Sequence, residues 1–187
     1  SLATSAGEQI NSTLVLQPNT TAWMYFSRTK NHPKIAEIQH NFKDFVYQLE
    51  RNHVEYDLGS ENVLKTIGSV ENEKLVVGKR KYNLVVIPES MENIDSTTYE
   101  LIKEYLASGG KVLSFGNNIS RLDGSENDAL VKLQQEYAAH WILVKSLDDE
   151  QCKSLLFTDN FSITEKTKSG ELYFQRRMME DGQLLYF

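Results

Sequence analysis

KYNLVVIPESMENIDSTTYELIKEYLASGGKVLSFG, running from Lys81 to Gly116, spells a strand, a helix and a second strand with clear punctuation. Leu84-Val85-Val86-Ile87 is short, wholly apolar and closed by Pro88, which is how a strand buried on both faces reads. Thr97-Thr98-Tyr99-Glu100 matches a capping box, Leu101, Ile102, Tyr105 and Leu106 recur at helical spacing, and Gly109-Gly110 supplies a left-handed stop. Val112-Leu113-Ser114-Phe115 then makes a second apolar strand. Two buried strands joined by one amphipathic helix form a right-handed parallel βαβ unit, and ligands of such units gather at the carboxyl ends of the strands. Those ends read Pro88-Glu89-Ser90 and Gly116-Asn117-Asn118, and neither is a recognisable catalytic device.

The same grammar extends outward. Upstream, Leu14-Val15-Leu16 is a first strand, followed by a long polar and aromatic loop from Gln17 to Pro33. Pro33 sits where a first-turn proline belongs, and Ile35, Ile38, Phe42, Phe45, Val46 and Leu49 repeat at three- and four-residue intervals, predicting the strongest helix of the chain. Val54-Glu55-Tyr56-Asp57 reads as a half-buried strand, Ser60 as the cap of a short helix through Ile67, and Leu75-Val76-Val77-Gly78 as a short extended piece. Downstream, Asp123-Gly124 is a turn, Ala129, Leu130, Leu133 and Tyr137 suggest a helix, and Trp141-Ile142-Leu143-Val144 is a fifth strand. Ser146 to Asp149 opens a further helix ending near Phe157. Beyond it, Phe161-Ser162-Ile163-Thr164, Leu172-Tyr173-Phe174 and Leu184-Leu185-Tyr186-Phe187, separated by turn-rich segments, read as hairpin strands. The expected organisation is a linker over 1–12, an α/β domain over 13–158, and β-strands over 159–187 that begin a following β-sandwich or extend an edge.

At 187 residues the chain can build one core without disulfides or metal. A net charge of -6 argues against nucleic acid as the main partner, and no apolar run is long enough to span a bilayer. The single Cys152 excludes an internal disulfide. The chain starts at Ser1 and stops on an apolar, strand-like run, so it is expected to be a segment of a longer protein.

Candidate chemistry is sparse. A nucleophile elbow after a central strand needs glycine two residues before its serine, whereas Val112 stands two before Ser114, and Cys152 lies far from any such turn. A buried strand serine is the better account of Ser114. His32, His40, His53 and His140 never fall at metal-ligand spacing, so no metal site is expected and surface or helix-end roles are the default. The first strand–helix turn, Gln17-Pro18-Asn19-Thr20-Thr21, has no glycine, and neither a dinucleotide fingerprint nor a phosphate loop is present. Asp57, Glu61 and Glu89 are the carboxylates that could do acid and base work, but sequence cannot place them relative to one another. Thr20, Thr21, Trp23, Met24, Tyr25 and Phe26 lie in a segment too long for an ordinary turn at the carboxyl edge of the first strand. They form either an interface or a cover for the sheet's own edge.

Four segments carry a family resemblance. Gln17 to Tyr25, Tyr56 to Glu61, Leu75 to Tyr82 and Gly109 to Val112 look, in order and spacing, like an internal domain of large bacterial alpha-L-rhamnosidase-type glycoside hydrolases. Gln175-Arg176-Arg177 with Glu180-Asp181-Gly182 is similar to the strand that opens the β-sandwich after that domain. The resemblance implies a three-layer α/β sandwich with a mainly parallel, flavodoxin-like sheet of the class I glutamine amidotransferase type, serving as an accessory domain. It also implies that catalytic acids and any calcium belong to a barrel outside this chain, that no catalytic residue or cofactor is carried here, and that the parent is secreted, periplasmic or on the cell surface. Expected partners are the barrel and β-sandwich of the same parent, with carbohydrate as a further partner. The competing readings are a free-standing hydrolase or amidotransferase-like enzyme using Glu89, Ser114 or Asp57, and a carbohydrate-binding module stacking sugars on Trp23 and Tyr25.

Overall fold

The computed structural model describes residues 7–116, 119–157 and 174–186. Its strands are β1 (Glu8–Gln9), β2 (Thr13–Leu16), β3 (Tyr56–Gly59), β4 (Gly68–Glu71), β5 (Lys74–Val77), β6 (Arg80–Tyr82), β7 (Leu84–Ile87), β8 (Asn93–Ile94), β9 (Lys111–Phe115), β10 (Arg121–Leu122), β11 (Ser125–Glu126), β12 (Trp141–Val144), β13 (Gln175–Met179) and β14 (Gly182–Tyr186). Its helices are α1 (Asn19–Met24), α2 (Pro33–Arg51), α3 (Glu61–Ile67), α4 (Ser96–Ala107), α5 (Ala129–Glu136) and α6 (Glu150–Leu156).

The apolar runs do what their composition predicts. β12, β9, β7, β2 and β3 lie side by side in that order, all parallel, with Val15 opposite both Val86 and Leu58, and Leu113 opposite both Val86 and Ile142. Because side chains alternate across a strand, each run feeds two cores. Leu14, Leu16, Val85, Ile87 and Val112 pack with Leu64 of α3, Ile102, Tyr105 and Leu106 of α4, and Leu130 and Leu133 of α5. Val15, Val86, Leu113 and Phe115 pack on the other face with Leu49 of α2 and Cys152 and Leu156 of α6. Helices therefore cover both faces, and the protein is a three-layer α/β sandwich with short antiparallel strands near its carboxyl terminus, as the sequence predicts. A fully buried Val or Leu contributes about 1.5–3 kcal/mol, so these two cores hold the sheet.

Several local expectations change. The Gln17 to Pro33 segment is not all loop, since Asn19–Met24 is helical without any side-chain cap. The piece around Leu75 is the middle strand of an antiparallel β4-β5-β6 meander. Its first turn places Asn72 and Glu73 at φ of 49 and 62°, a conformation that sequence reading associates with glycine. α4 starts at Ser96 with Asp95 at the N-cap, ahead of the Thr97 capping box. Tertiary partners explain the shift: Asp95 N–H donates to Glu61 Oε2 at 2.7 Å and Ser96 N–H to Asp123 Oδ1 at 2.9 Å. The glycine stop holds, with Gly109 at φ +102°, and a Cβ on Gly110 would lie 2.2 Å from the Tyr105 ring.

The two ends of the described chain meet. β1 pairs antiparallel with β13, and β13 with β14. The Gly7 to Ser12 lead-in, read as linker, thus contributes a strand. Arg176 ties this ribbon to the domain through Glu55, donating from Nε at 2.7 Å and Nη2 at 2.5 Å. The hairpin reading of Phe161 to Thr164 and of Leu172-Tyr173 lies outside the described residues.

Candidate functional site

In a parallel sheet whose chain order runs 2-1-3-4-5, the crevice for ligands opens at the carboxyl ends of the strands where the winding reverses, here between β2 and β7. α1 lies over that point. Thr21, wholly buried, accepts at its Oγ1 from the backbone N–H groups of both Glu92 and Asn93, each at 3.0 Å, stitching α1 to the segment after β7. Thr20 donates its hydroxyl to Glu61 Oε1, and Glu61 also accepts from Asp95 N–H. Glu61 is 1% exposed. Burial pushes its carboxyl above the usual range, and the bonds from Thr20 and Asp95 pull only part of that back. These groups form a closed knot of mutual hydrogen bonds.

Asp57 is committed as well. It accepts from Asn11 Nδ2 at 2.6 Å and from the Tyr82 hydroxyl at 2.9 Å, and burial followed by that bond drives the tyrosine pKa upward. Ser114 is 5% exposed and donates to the Gly116 carbonyl at 3.1 Å, so its hydroxyl serves the turn. Burial raises the Cys152 thiol to about 11, with Asp149 adding to the effect, which keeps it protonated and unreactive near neutrality. His32 caps α2, accepting from Lys34 N–H at 3.2 Å, and His40 lies 3.3 Å from Asp44 on the exposed face. Among the described residues no group of three His, Cys, Asp or Glu side chains is placed to hold a metal.

The aromatic segment divides in two. Tyr25 turns inward, donating to Glu92 Oε2 at 2.6 Å with its ring 5.0 Å from His32. Trp23 and Phe26 turn outward, 73% and 61% exposed, with ring centroids 6.0 Å apart. Met24 is half-buried between them in sequence.

An open cleft of about 520 Å³ lies further along the crest, between α2 and the carboxyl ends of β7, β9 and β12. α2 presents Asn41, Asp44 and Gln48 to it, β7 leads into Glu89, Ser90 and Glu92, and Phe45 and Phe115 meet edge to face at 4.8 Å beneath. Lys34 bridges Glu37 at 2.9 Å and Glu92 at 3.0 Å on the rim. Burial works against the Glu92 charge more than any other single influence, but the bonds from Tyr25 and Lys34 and the charges of Lys34 and Arg121 together hold its carboxyl below the usual range. Of the carboxylates singled out from sequence, Glu89 alone lines this cleft. Asn41, Asp44 and Gln48 were missed because they share a helix with the apolar stripe. Their signal is a second, polar stripe, Lys34, Glu37, Asn41, Asp44 and Gln48, at three-, four- and seven-residue spacing beside the first.

No protein family matches the chain, and no curated protein does. Among solved structures, the rhamnosidase from Novosphingobium sp. PP1Y is similar over 70% of this chain at 14% identity with a TM-score of 0.49. The chain spans 14% of that protein's length.

Proposed function

We propose that this chain is a non-catalytic docking domain of a larger, secreted glycoside hydrolase of the alpha-L-rhamnosidase type, acting on rhamnose-containing glycans. The observation that carries the reading is the outward-facing pair of Trp23, on a helix that is itself hydrogen-bonded down through Thr21, and Phe26, just past that helix's end. Large aromatics on a rigid base are the residues that anchor interfaces. The segment resemblance to the accessory domain of such enzymes supplies the host. The reading is further supported by Asp57, Glu61, Ser114 and Cys152, each of which is buried or bonded in a structural role.

The neighbour docked on Trp23 and Phe26 is the catalytic barrel or the following β-sandwich of the same parent. The test is the double variant Trp23→Ala/Phe26→Ala made in the host enzyme and in this chain alone. The host should melt at lower temperature and lose activity, while the isolated chain melts as before. A host indifferent to both substitutions overturns the reading. So does turnover of an aryl rhamnoside by this chain by itself.

A further inference from the structure

The cleft beside α2 is separate from the docking pair, and its chemistry can be read on its own terms. Its volume of about 520 Å³ falls within the roughly 300–1,000 Å³ common to small-molecule sites. It opens at the carboxyl ends of three parallel strands, the place where α/β sheets bind ligands.

Charge narrows what fits. The cleft is lined by two lysines, Lys34 and Lys145, and four carboxylates, Glu37, Asp44, Glu89 and Glu92, an excess of two negative charges. Phosphate or carboxylate ligands are disfavoured in that field, and the turn after β7, Pro88-Glu89-Ser90, offers no glycine-rich anion cradle. A cation is poorly served too. Glu37 and Glu92 already share Lys34, and Asp44 faces His40 at 3.3 Å.

What remains is a set of neutral hydrogen-bonding groups beside an aromatic ring. The side-chain amides of Asn41 and Gln48, seven residues apart on α2, each offer a donor and an acceptor to one side of the cleft. Ser90, in the segment after β7, also lines it, with its Oγ buried away from the open space. Phe45, half-buried and packed edge to face on the buried Phe115, adds an apolar ring to the wall. Paired donor and acceptor groups beside an aromatic ring match a molecule with many hydroxyls and an apolar C–H face.

We propose that this cleft binds an uncharged saccharide of one or two pyranose units, with Asn41 and Gln48 meeting its hydroxyls and the half-buried Phe45 beside its C–H face. The site does not depend on the docking reading: that reading is judged by Trp23 in the host enzyme, this one by Asn41 and Gln48 in the chain itself.

The experiment is calorimetric titration of the 187-residue chain with D-glucose, D-galactose and L-rhamnose, with inorganic phosphate and putrescine as charged comparisons. Expected is saturable, millimolar binding of at least one sugar, weakened roughly tenfold by Asn41→Ala and by Gln48→Ala, each the loss of about one hydrogen bond. Both positions are exposed on α2, so unchanged melting of the variants will separate lost binding from lost fold. No saturable binding of any of the three sugars overturns the proposal. Binding indifferent to both substitutions, or tighter binding of phosphate or putrescine than of sugar, overturns it as well.

Discussion

The two halves of the strand-end crest carry similar residues and use them in opposite ways. On the β2–β3 side, Thr21 of α1 accepts from the backbone of Glu92 and Asn93, Thr20 of α1 donates to Glu61, and Glu61 accepts from Asp95 N–H, so these groups are spent on one another. On the β7–β9–β12 side, Asn41, Asp44, Gln48 and Glu89 line an open cleft. A carboxylate after a strand is therefore ambiguous by itself: Glu61 is a structural acceptor sealed from water, and Glu89 is exposed on a cleft wall. The difference lies in what the next segment of chain does. After β2 it folds back as α1 and plugs the crevice, while after β7 it runs off toward β8 and leaves a gap beside α2.

That contrast can be broken most directly at Glu61. Glu61→Ala orphans the Asp95 N–H and the Thr20 hydroxyl and leaves a cavity, so it should lower stability by about 2–4 kcal/mol in denaturant titration. Glu89→Ala is the matching change on the open side and should stay within about 0.5 kcal/mol of the parent. Equal losses at the two positions would erase the distinction between the halves.

Next in size is Thr21→Val, which keeps the shape but removes the oxygen that accepts from Glu92 and Asn93. About 1–3 kcal/mol should be lost, and Thr21→Ser should recover most of it. A valine variant as stable as the parent would mean that α1 is held by packing alone.

A smaller effect is expected with pH. Burial lifts the folded pKa of Glu61 above its ordinary 4.5, so the folded state holds this proton more tightly than the unfolded chain does. Its contribution to stability is complete below that ordinary value and is lost as pH rises through the higher folded value. Glu61→Gln has no charge to bury and escapes the loss, whatever constant offset its changed hydrogen bonds introduce. The melting temperature of Glu61→Gln should thus gain on that of the parent between pH 4.5 and neutrality, and a constant gap across that range would show that the buried carboxylate carries no charge penalty.

The smallest change should come at Ser114. Ser114→Ala removes a bond to the Gly116 carbonyl within its own turn and should cost about 1 kcal/mol or less. A larger loss would mark the β9 turn as part of the sealed half.

Legibility from sequence follows the same division. Leu84 to Ile87 and Trp141 to Val144 were readable to the residue and Val112 to Phe115 to within one, because strands of a buried parallel sheet carry apolar runs, although Leu143 at the sheet edge is exposed. α2 was readable because its apolar stripe, Ile35 to Leu49, repeats over about four turns. α1 was not: six residues without a side-chain cap are too short to be helical alone, and Thr21 is held from 71 residues away in the chain. The start of α4 was misplaced for the same reason, since Glu61 and Asp123 satisfy its first N–H groups from other elements. The aromatic segment was half readable. Its exposure is real for Trp23 and Phe26, whereas Tyr25 is tied inward by Glu92.

By itself the sequence determined the parallel sheet, the helices on its two faces and the lack of a nucleophile elbow, because apolar periodicity and glycine placement act within a few residues of where they are written. Tertiary structure alone decided which carboxylate is buried and which lines a cleft, that α1 closes the crevice at β2, and that the polar stripe of α2 faces open space. Those outcomes depend on hydrogen bonds and contacts between segments distant in the chain, such as Thr21 with Asn93 and Phe45 with Phe115, and no local pattern encodes them.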